Sequence, residues 1–250
     1  HRFMGWTLKT MSVGFEALRE VMVAGFRPSV ARLYDYEDGQ LHFSHFAKPD
    51  ECILLFLAEG NAGITEATEK GITEIVSKYG ECVPVDSKLV EEWFYDLVWG
   101  PDKVTREDNR IFTQRNVNRT TEISADWSAI QKIYDAVIPR IRTEIPGITL
   151  LGGHSSHSYI NGTNMYFNYF FDLLDTAPEN ENDEIYFPII AIICEETLRY
   201  GGSIVHHHGI GKARARWVEQ EYGSSFGMLR TLKDAFDPKG IMNAGTIFPV

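Results

Sequence analysis

Three consecutive histidines run into a glycine turn at His206-His207-His208-Gly209-Ile210-Gly211. Imidazole titrates near neutrality, so such a run can carry protons, switch hydrogen bonds or bind a metal. On a strand, His206 and His208 would face one side and His207 the other, because successive side chains alternate. The glycines allow a sharp turn and close approach of the backbone to a ligand. An affinity-tag remnant would sit at a terminus, whereas this run lies inside a globular pattern. A polar loop with fortuitous histidines is the other plain reading. The cysteines offer less: Cys52, Cys82 and Cys194 are scattered, odd in number and without metal-ligand spacing, and they read as reduced thiols.

The elements that must position these histidines come from a chain of 250 residues, 44% hydrophobic and 24% charged, which suits a soluble globular domain with a substantial core. A net charge of −11 argues against nucleic-acid or anionic-membrane binding, which needs surplus Lys and Arg. It leaves room for a local basic pocket. No apolar run approaches the roughly 20 residues of a membrane span.

Residues 2–9 read as a strand, and Ser12 as the cap of an amphipathic helix over 13–24. A strand over 29–34 stops at the turn-rich Asp35-Tyr36-Glu37-Asp38-Gly39. Residues 51–59 form an apolar strand, and 61–79 carry helical spacing. Strand, helix, strand, strand, helix is half of a ferredoxin-like unit. The second half repeats the theme with strands at 117–124, 149–151 and 164–174 and helices at 127–142 and 184–200. A polar loop covers 177–183, and the tail reads as helix over 217–221 and 226–236. The fold expected is α+β, with antiparallel sheets and flanking helices in two ferredoxin-like halves.

The segment from Gly201 to Trp217, the stretch Phe226-Gly227-Met228-Leu229 and the later Asn243 together resemble the carboxyl-terminal substrate (cap) domain of flavin-linked oxidases in the vanillyl-alcohol-oxidase superfamily. Within that superfamily the triplet before Gly-Ile-Gly is most similar to the alkyldihydroxyacetonephosphate synthases. The resemblance runs from about residue 14 to 248, strongest after Gly201 and weakest over 85–121. It implies an FAD enzyme that exchanges acyl for alkyl on dihydroxyacetone phosphate in ether-lipid synthesis. It also implies site roles. Tyr166, on an aromatic strand, falls on the catalytic tyrosine, and His206, His207 and His208 become its proton-handling partners. Arg32 becomes the anchor for a phosphate or carboxylate, which a guanidinium grips with a planar fork. His208 and Asn243 become cofactor-side residues, although Asn243 also suits a turn cap after Gly240. One expected family arginine has no single counterpart among Arg106, Arg110 and Arg115. Another is replaced by His154.

A rival within the superfamily is the FAD-linked 2-hydroxyacid dehydrogenase of the D-lactate or glycolate type. It places an acidic residue before the histidine of the His-Gly-Ile-Gly turn to hold a metal. Here His207 stands there, so the main reading carries no metal, and the rival offers His154, His157 and His207 as a three-histidine site. A non-catalytic binding module is the third reading. The chain opens at His1-Arg2-Phe3 directly into a strand and contains no Gly-rich flavin loop. The expectation is therefore one domain over 1–250 whose amino-terminal FAD-binding domain lies outside it, inactive and flavin-free alone. A location in the cytoplasm or at a membrane periphery, a fatty acyl or alkyl substrate chain and a homodimer complete the expectations.

Overall fold

The computed structural model describes residues 1–97 and 100–248. The first half opens with β1 (Arg2–Leu8), whose alternate side chains enter the core, followed by α1 (Met11–Val23). Its cap is Thr10, whose side chain accepts from the Val13 N–H, rather than Ser12. Then come β2 (Val30–Tyr34), α2 (Tyr36–Phe43), β3 (Cys52–Ala58), α3 (Ala62–Val76) and the short β4 (Val83–Pro84). The expected turn at 35–39 is instead the start of α2. Asp35 caps it by accepting from the Asp38 N–H, so turn-like residues serve as a helix entrance. Two further helices, α4 (Ser87–Asp96) and α5 (Pro101–Phe112), occupy the stretch where the family likeness is weakest.

The second half comprises β5 (Asn116–Asp126), α6 (Trp127–Glu144), β6 (Ile148–Ser155), β7 (Gly162–Asp172) and α7 (Phe187–Arg199). β6 is longer than its apolar core at 149–151, because Gly152 and Gly153 continue it under α2. A Cβ on Gly152 would meet the Asp38 nitrogen at 2.5 Å. The residues read as a polar loop at 177–183 form short tight turns leading into α7. The tail adds α8 (Val218–Tyr222) and α9 (Phe226–Phe236).

Among the described residues the seven strands lie in one sheet, in the order β4-β1-β3-β2-β6-β7-β5, so the two halves share a sheet rather than forming two. The first half runs 4-1-3-2, the ferredoxin-like order. The halves join where β2 pairs antiparallel with β6, Leu33 opposite Ser155 and Tyr34 opposite His154. Beyond α7 the chain returns to the free edge of β5 through a two-residue bridge. There Ser203 and Ser124 exchange backbone hydrogen bonds of 3.0 and 2.8 Å. This vestigial strand delivers the histidine triplet.

One face of the sheet packs under α1, α3, α6 and α7, burying Leu54, Phe56, Phe167, Tyr169 and Phe171 among their apolar stripes. Full burial of such side chains contributes about 1.5–3 kcal/mol each. On the other face α2 and α4 cover the β1–β3–β2 end, around Tyr34, Phe43, Ile53, Leu55 and Trp93, and α2 also reaches over the Gly152–Gly153 stretch of β6. The rest of that face, from His154 of β6 across β7 to β5, is mostly polar, with Phe170 under Arg110 the exception. Among the described residues no helix is long and apolar enough to cross a membrane.

Candidate functional site

Strand pairing on the polar face creates a row of four side chains. Tyr34 on β2 is opposite His154 on β6, His154 is opposite Tyr166 on β7, and Tyr166 is opposite Glu122 on β5. Partners in register place their side chains on the same face. The His154 ring stacks on Tyr166 (4.7 Å, 19°) and on Tyr34 (4.9 Å, 30°). Beneath it, Asp38 from α2 takes His154 Nδ1 at 2.5 Å and accepts from Asn168 Nδ2 at 3.0 Å on both oxygens. Burial alone would raise the Asp38 carboxyl, but the facing His154 and the Asn168 hydrogen bonds hold it below the ordinary range.

The other end of the row is built on Glu122, whose residue is fully buried. The loop after Ser203 is tied down by Glu221, which accepts from the Ile204 N–H at 3.0 Å, and by Arg214, which donates to the Ile204 carbonyl at 2.9 Å. It then bends so that all three imidazoles approach one carboxylate. His206 Nδ1 lies 3.1 Å and His207 Nδ1 3.0 Å from Glu122 Oε1, and His208 Nε2 lies 3.9 Å from Oε2. This corrects the strand geometry: in a loop, consecutive histidines converge instead of alternating. Asn164 donates to Glu122 Oε1 at 2.7 Å, and the His207 N–H donates to Oε2 at 3.2 Å. Burial would raise the Glu122 carboxyl, but these donors and His206 outweigh it and keep it low, hence ionised.

The outward nitrogens of two of these rings meet tyrosines. His206 Nε2 is 2.9 Å from Tyr159 Oη, and His207 Nε2 is 3.2 Å from Tyr166 Oη. Burial, then the charge of Glu122, pushes the Tyr166 phenol up to about 12, so it is neutral at physiological pH. Burial and the adjoining histidines depress His157, and burial likewise depresses His208, so both rings favour the neutral form. The His207 and His208 side chains remain 47% and 38% exposed, so this edge of the site is open.

Arg32, on β2, donates to Tyr34 Oη at 3.0 Å and lies over Trp93 at 5.6 Å. Among the described residues it has no carboxylate within salt-bridge distance, which leaves its charge available to an anion. Beside it, a cavity of about 850 Å³ between α2, α4 and α5 is lined by His42, Trp93, Lys103, Arg106 and Arg110. Arg110 lies over Phe170 of β7 at 4.3 Å, and its buried Nε has no hydrogen-bond partner among the described residues. Of the three candidate arginines, Arg106 and Arg110 face the cavity. Arg115 instead sits in the left-handed region (φ 55°) and donates to the Thr176 carbonyl at 2.8 Å.

The structure thus brings Tyr166, His206, His207 and His208 together and places Arg32 at the other end of the same row. Asn243 stays apart. It lies in the tail with φ 47°, accepting from the Thr246 N–H at 3.1 Å, and among the described residues no hydrogen bond ties it to the histidines. The donor set His154, His157 and His207 is also not what the geometry assembles. His154 is turned to Asp38, while His157 and His207 converge with Glu122 and His206. Sequence reasoning missed Glu122, Asp38 and Tyr159. The usable signal was Glu122 itself, a lone acid between Thr121 and Ile123 on a strand.

Comparison with known proteins agrees with this architecture. Residues 1–247 match the family model described as FAD linked oxidases, C-terminal domain. The chain is 56% identical over 251 residues to the FAD-linked oxidoreductase YgcU of Escherichia coli (strain K12), itself described as uncharacterized; the match covers 99% of this chain and 52% of that protein. It is 24% identical to the alkyldihydroxyacetonephosphate synthase of Trypanosoma brucei brucei, over 99% of this chain and 44% of that one. Among solved structures, an alkyldihydroxyacetonephosphate synthase superposes with a TM-score of 0.65 at 20% identity, covering 97% of this chain and 44% of its own. A substrate-bound p-cresol methylhydroxylase also gives 0.65, at 14% identity over 99% and 53%. The chain spans about half the length of the curated relatives it matches.

Proposed function

The chain belongs to the FAD linked oxidases, as their C-terminal domain, and from that premise we propose that it is the substrate half of an FAD-dependent oxidoreductase acting on a small hydroxylated anion. The observation that carries this reading is the path from Tyr166 Oη through His207, 3.2 Å at Nε2 and 3.0 Å from Nδ1 to Glu122. A neutral phenol backed by an imidazole and an ionised carboxylate is a general acid–base relay of the same logic as a hydroxyl–histidine–acid triad. When bound, FAD supplies the acceptor for the two electrons removed from the substrate carbon. Tyr166, His207 and His208 fit one side of such a group, since their polar edges stand open at the surface of the site. Tyr166 Oη takes the proton of the substrate hydroxyl as its own proton passes to His207 Nε2, and the ionised Glu122 steadies the imidazolium that results. Arg32 holds the substrate's carboxylate or phosphate, so that binding energy remote from the reacting carbon orients it.

A second reading keeps the alkyldihydroxyacetonephosphate synthase chemistry, an exchange of acyl for alkyl on a phosphorylated ketone. The Tyr166–triplet constellation and the 24% identity across nearly the whole chain favour it. We place oxidation first because Arg32, Arg106 and Arg110, which make no ion pair among the described residues, offer charge to a small anion, while in the adjoining cavity Lys103 is paired with Asp96 and Leu41, Leu97 and Trp93 form an apolar wall.

The FAD-binding domain that completes the site is proposed to lie in the part of the parent protein outside these residues. The full-length parent is therefore expected to purify yellow, and the chain alone colourless. The deciding experiment offers the parent a panel of 2-hydroxy and sugar acids with an artificial electron acceptor, and in parallel acyl-dihydroxyacetonephosphate with a fatty alcohol. Reduction of the acceptor without ether product supports oxidation, and ether product alone reverses the choice. A colourless, inert parent would leave only a binding module.

A further inference from the structure

Resting on the oxidation reading above, we propose that His154, held by Asp38, reads a second hydroxyl of the substrate, which makes that substrate a polyhydroxylated carboxylate of the aldonate type. The rings of Tyr34, His154 and Tyr166 form one stack, with neighbouring centroids 4.9 and 4.7 Å apart. Their strands β2, β6 and β7 are consecutive in the sheet, so the outer two lie about 9.5 Å apart. Arg32 caps one end of the stack, donating to Tyr34 Oη at 3.0 Å. His207 caps the other, with Nε2 3.2 Å from Tyr166 Oη. A molecule gripped by Arg32 and deprotonated by Tyr166 therefore passes over His154.

His154 has one polar atom left to offer. Its Nδ1 is committed to the buried Asp38 carboxylate at 2.5 Å, and Asn168 Nδ2 donates to both oxygens of that carboxylate. Among the described residues no Lys or Arg lies within salt-bridge distance of Asp38, so His154 is its one ionisable partner there. Burying a carboxylate against an imidazole costs free energy, and it fixes which ring nitrogen carries the hydrogen. With Nδ1–H donated to Asp38, Nε2 presents its lone pair. That atom has no hydrogen-bond partner among the described residues, and the side chain stays 13% exposed. A hydroxyl can donate to it, whereas a CH₂ group cannot. The floor beside the stack has the same character. Thr120 Oγ1 meets Asn168 Oδ1 at 2.6 Å, and two residues along β5 Asn118 buries an Oδ1 without a partner among the described residues. Ionised acid groups have no hydrogen to give that acceptor, but hydroxyls do. Arg32 offers one guanidinium fork, which matches a carboxylate. The order of Arg32, His154 and Tyr166 sets the order along the substrate as anion, second hydroxyl, oxidised carbon. Oxidation there sends the hydroxyl proton to Tyr166 Oη and the carbon-bound hydrogen, with its electron pair, to the parent's FAD. A carbonyl is left beyond C2.

The test offers the flavin-loaded full-length protein aldonates of four to six carbons and their 2-deoxy counterparts, with an artificial electron acceptor. In wild type, kcat/KM should favour an aldonate over its 2-deoxy counterpart at least about a hundredfold, because a site built to bond a hydroxyl rejects the analogue lacking it. Nuclear magnetic resonance of the product should show the carbonyl at C3 or beyond. His154→Asn, whose amide can still donate to Asp38 but which has no Nε2, should bring the pair within about threefold by lowering the aldonate alone. The same pairs are titrated by calorimetry into flavin-reduced protein without air, where binding is read without turnover. There wild type should bind the aldonate at least about tenfold more tightly, and His154→Asn should bind both alike. Equal handling of the pair by wild type, an equal loss of both in His154→Asn, or a 2-oxo product would overturn the inference and spare the oxidation reading. Discrimination in binding that His154→Asn abolishes, with no acceptor reduced by any hydroxy acid, would do the reverse.

Discussion

Tyr166 and Glu122 are direct partners in the β5–β7 register, and both project from the polar face of the sheet into the histidine cluster. Their pairing puts a neutral phenol and an ionised carboxylate on either side of His207, which touches both. Distant segments of chain become neighbours because antiparallel pairing fixes which residues share a face.

Removing the phenolic hydroxyl should therefore cost chemistry rather than binding. Tyr166→Phe in the full-length protein is expected to lower kcat by about 10²–10⁴-fold, the range for loss of a general acid–base group, with KM changed only a few-fold. Steady-state kinetics on the best hydroxylated anion checks this, and an unaltered kcat would remove Tyr166 from the relay.

Arg32 should behave in the opposite way. Arg32→Met is expected to raise KM for an anionic substrate about 10- to 100-fold, corresponding to the roughly 1.5–3 kcal/mol of a hydrogen bond to a charged group. A neutral analogue lacking the anionic group should be indifferent to the change. Equal losses for both compounds would show that Arg32 supports the fold through Tyr34 and Trp93 instead.

Asp35 gives the fold a pH dependence of definite sign. Burial, together with the neighbouring Asp38 charge, pushes its carboxyl up to about 7 even though the Asp38 N–H, Tyr134 hydroxyl and Gly153 N–H donate to it. Tyr36 and the buried Cys52 thiol are the other titratable groups beside it. A carboxyl whose pKa is higher folded than unfolded binds more protons in the native state. Its contribution is thus greatest at low pH and declines as pH rises from about 4 to 7, by up to about 1.4 kcal/mol per unit. Denaturant titrations of wild type and Asp35→Asn between pH 5 and 8 isolate this slope in their difference. A flat difference would mean that Asp35 is ionised throughout.

Gly152→Ala should damage the site from beneath. The added Cβ would meet the Asp38 nitrogen at 2.5 Å and Asp35 Oδ1 at 2.7 Å, forcing α2 away from β6. Overpacking of this kind costs about 1–3 kcal/mol. The denaturation midpoint should fall accordingly, and separation of Asp38 from His154 should raise KM in the full-length enzyme. Wild-type stability in this variant would show that α2 shifts without strain.

Much of the architecture was legible because periodicity reports local burial. The apolar run of β3 and the helical spacing of α3 and α6 led directly to their elements. Residues 35–39 misled because Asp, Glu and Gly are turn formers by composition, while here Asp35 is a buried helix cap and Asp38 a buried partner of His154. The helices α4 and α5 escaped because their apolar faces are narrow; α5 buries no residue at all. Glu122 escaped for a related reason, since a single acid on a strand ordinarily faces solvent.

The residue types on their own carried the kind of chemistry available: a histidine run before a glycine turn, an arginine on one strand and a tyrosine on another. Side-chain chemistry is a local property, and so is the hydrophobic period that marks a strand or helix. Which of these groups meet was decided by tertiary structure. The pairing of β2 with β6, β6 with β7 and β7 with β5 aligned Tyr34, His154, Tyr166 and Glu122. The Ser203–Ser124 bridge then folded the triplet over Glu122. Register is set by burial and backbone pairing over the whole sheet, and a slip of one residue would turn Glu122 into the apolar core.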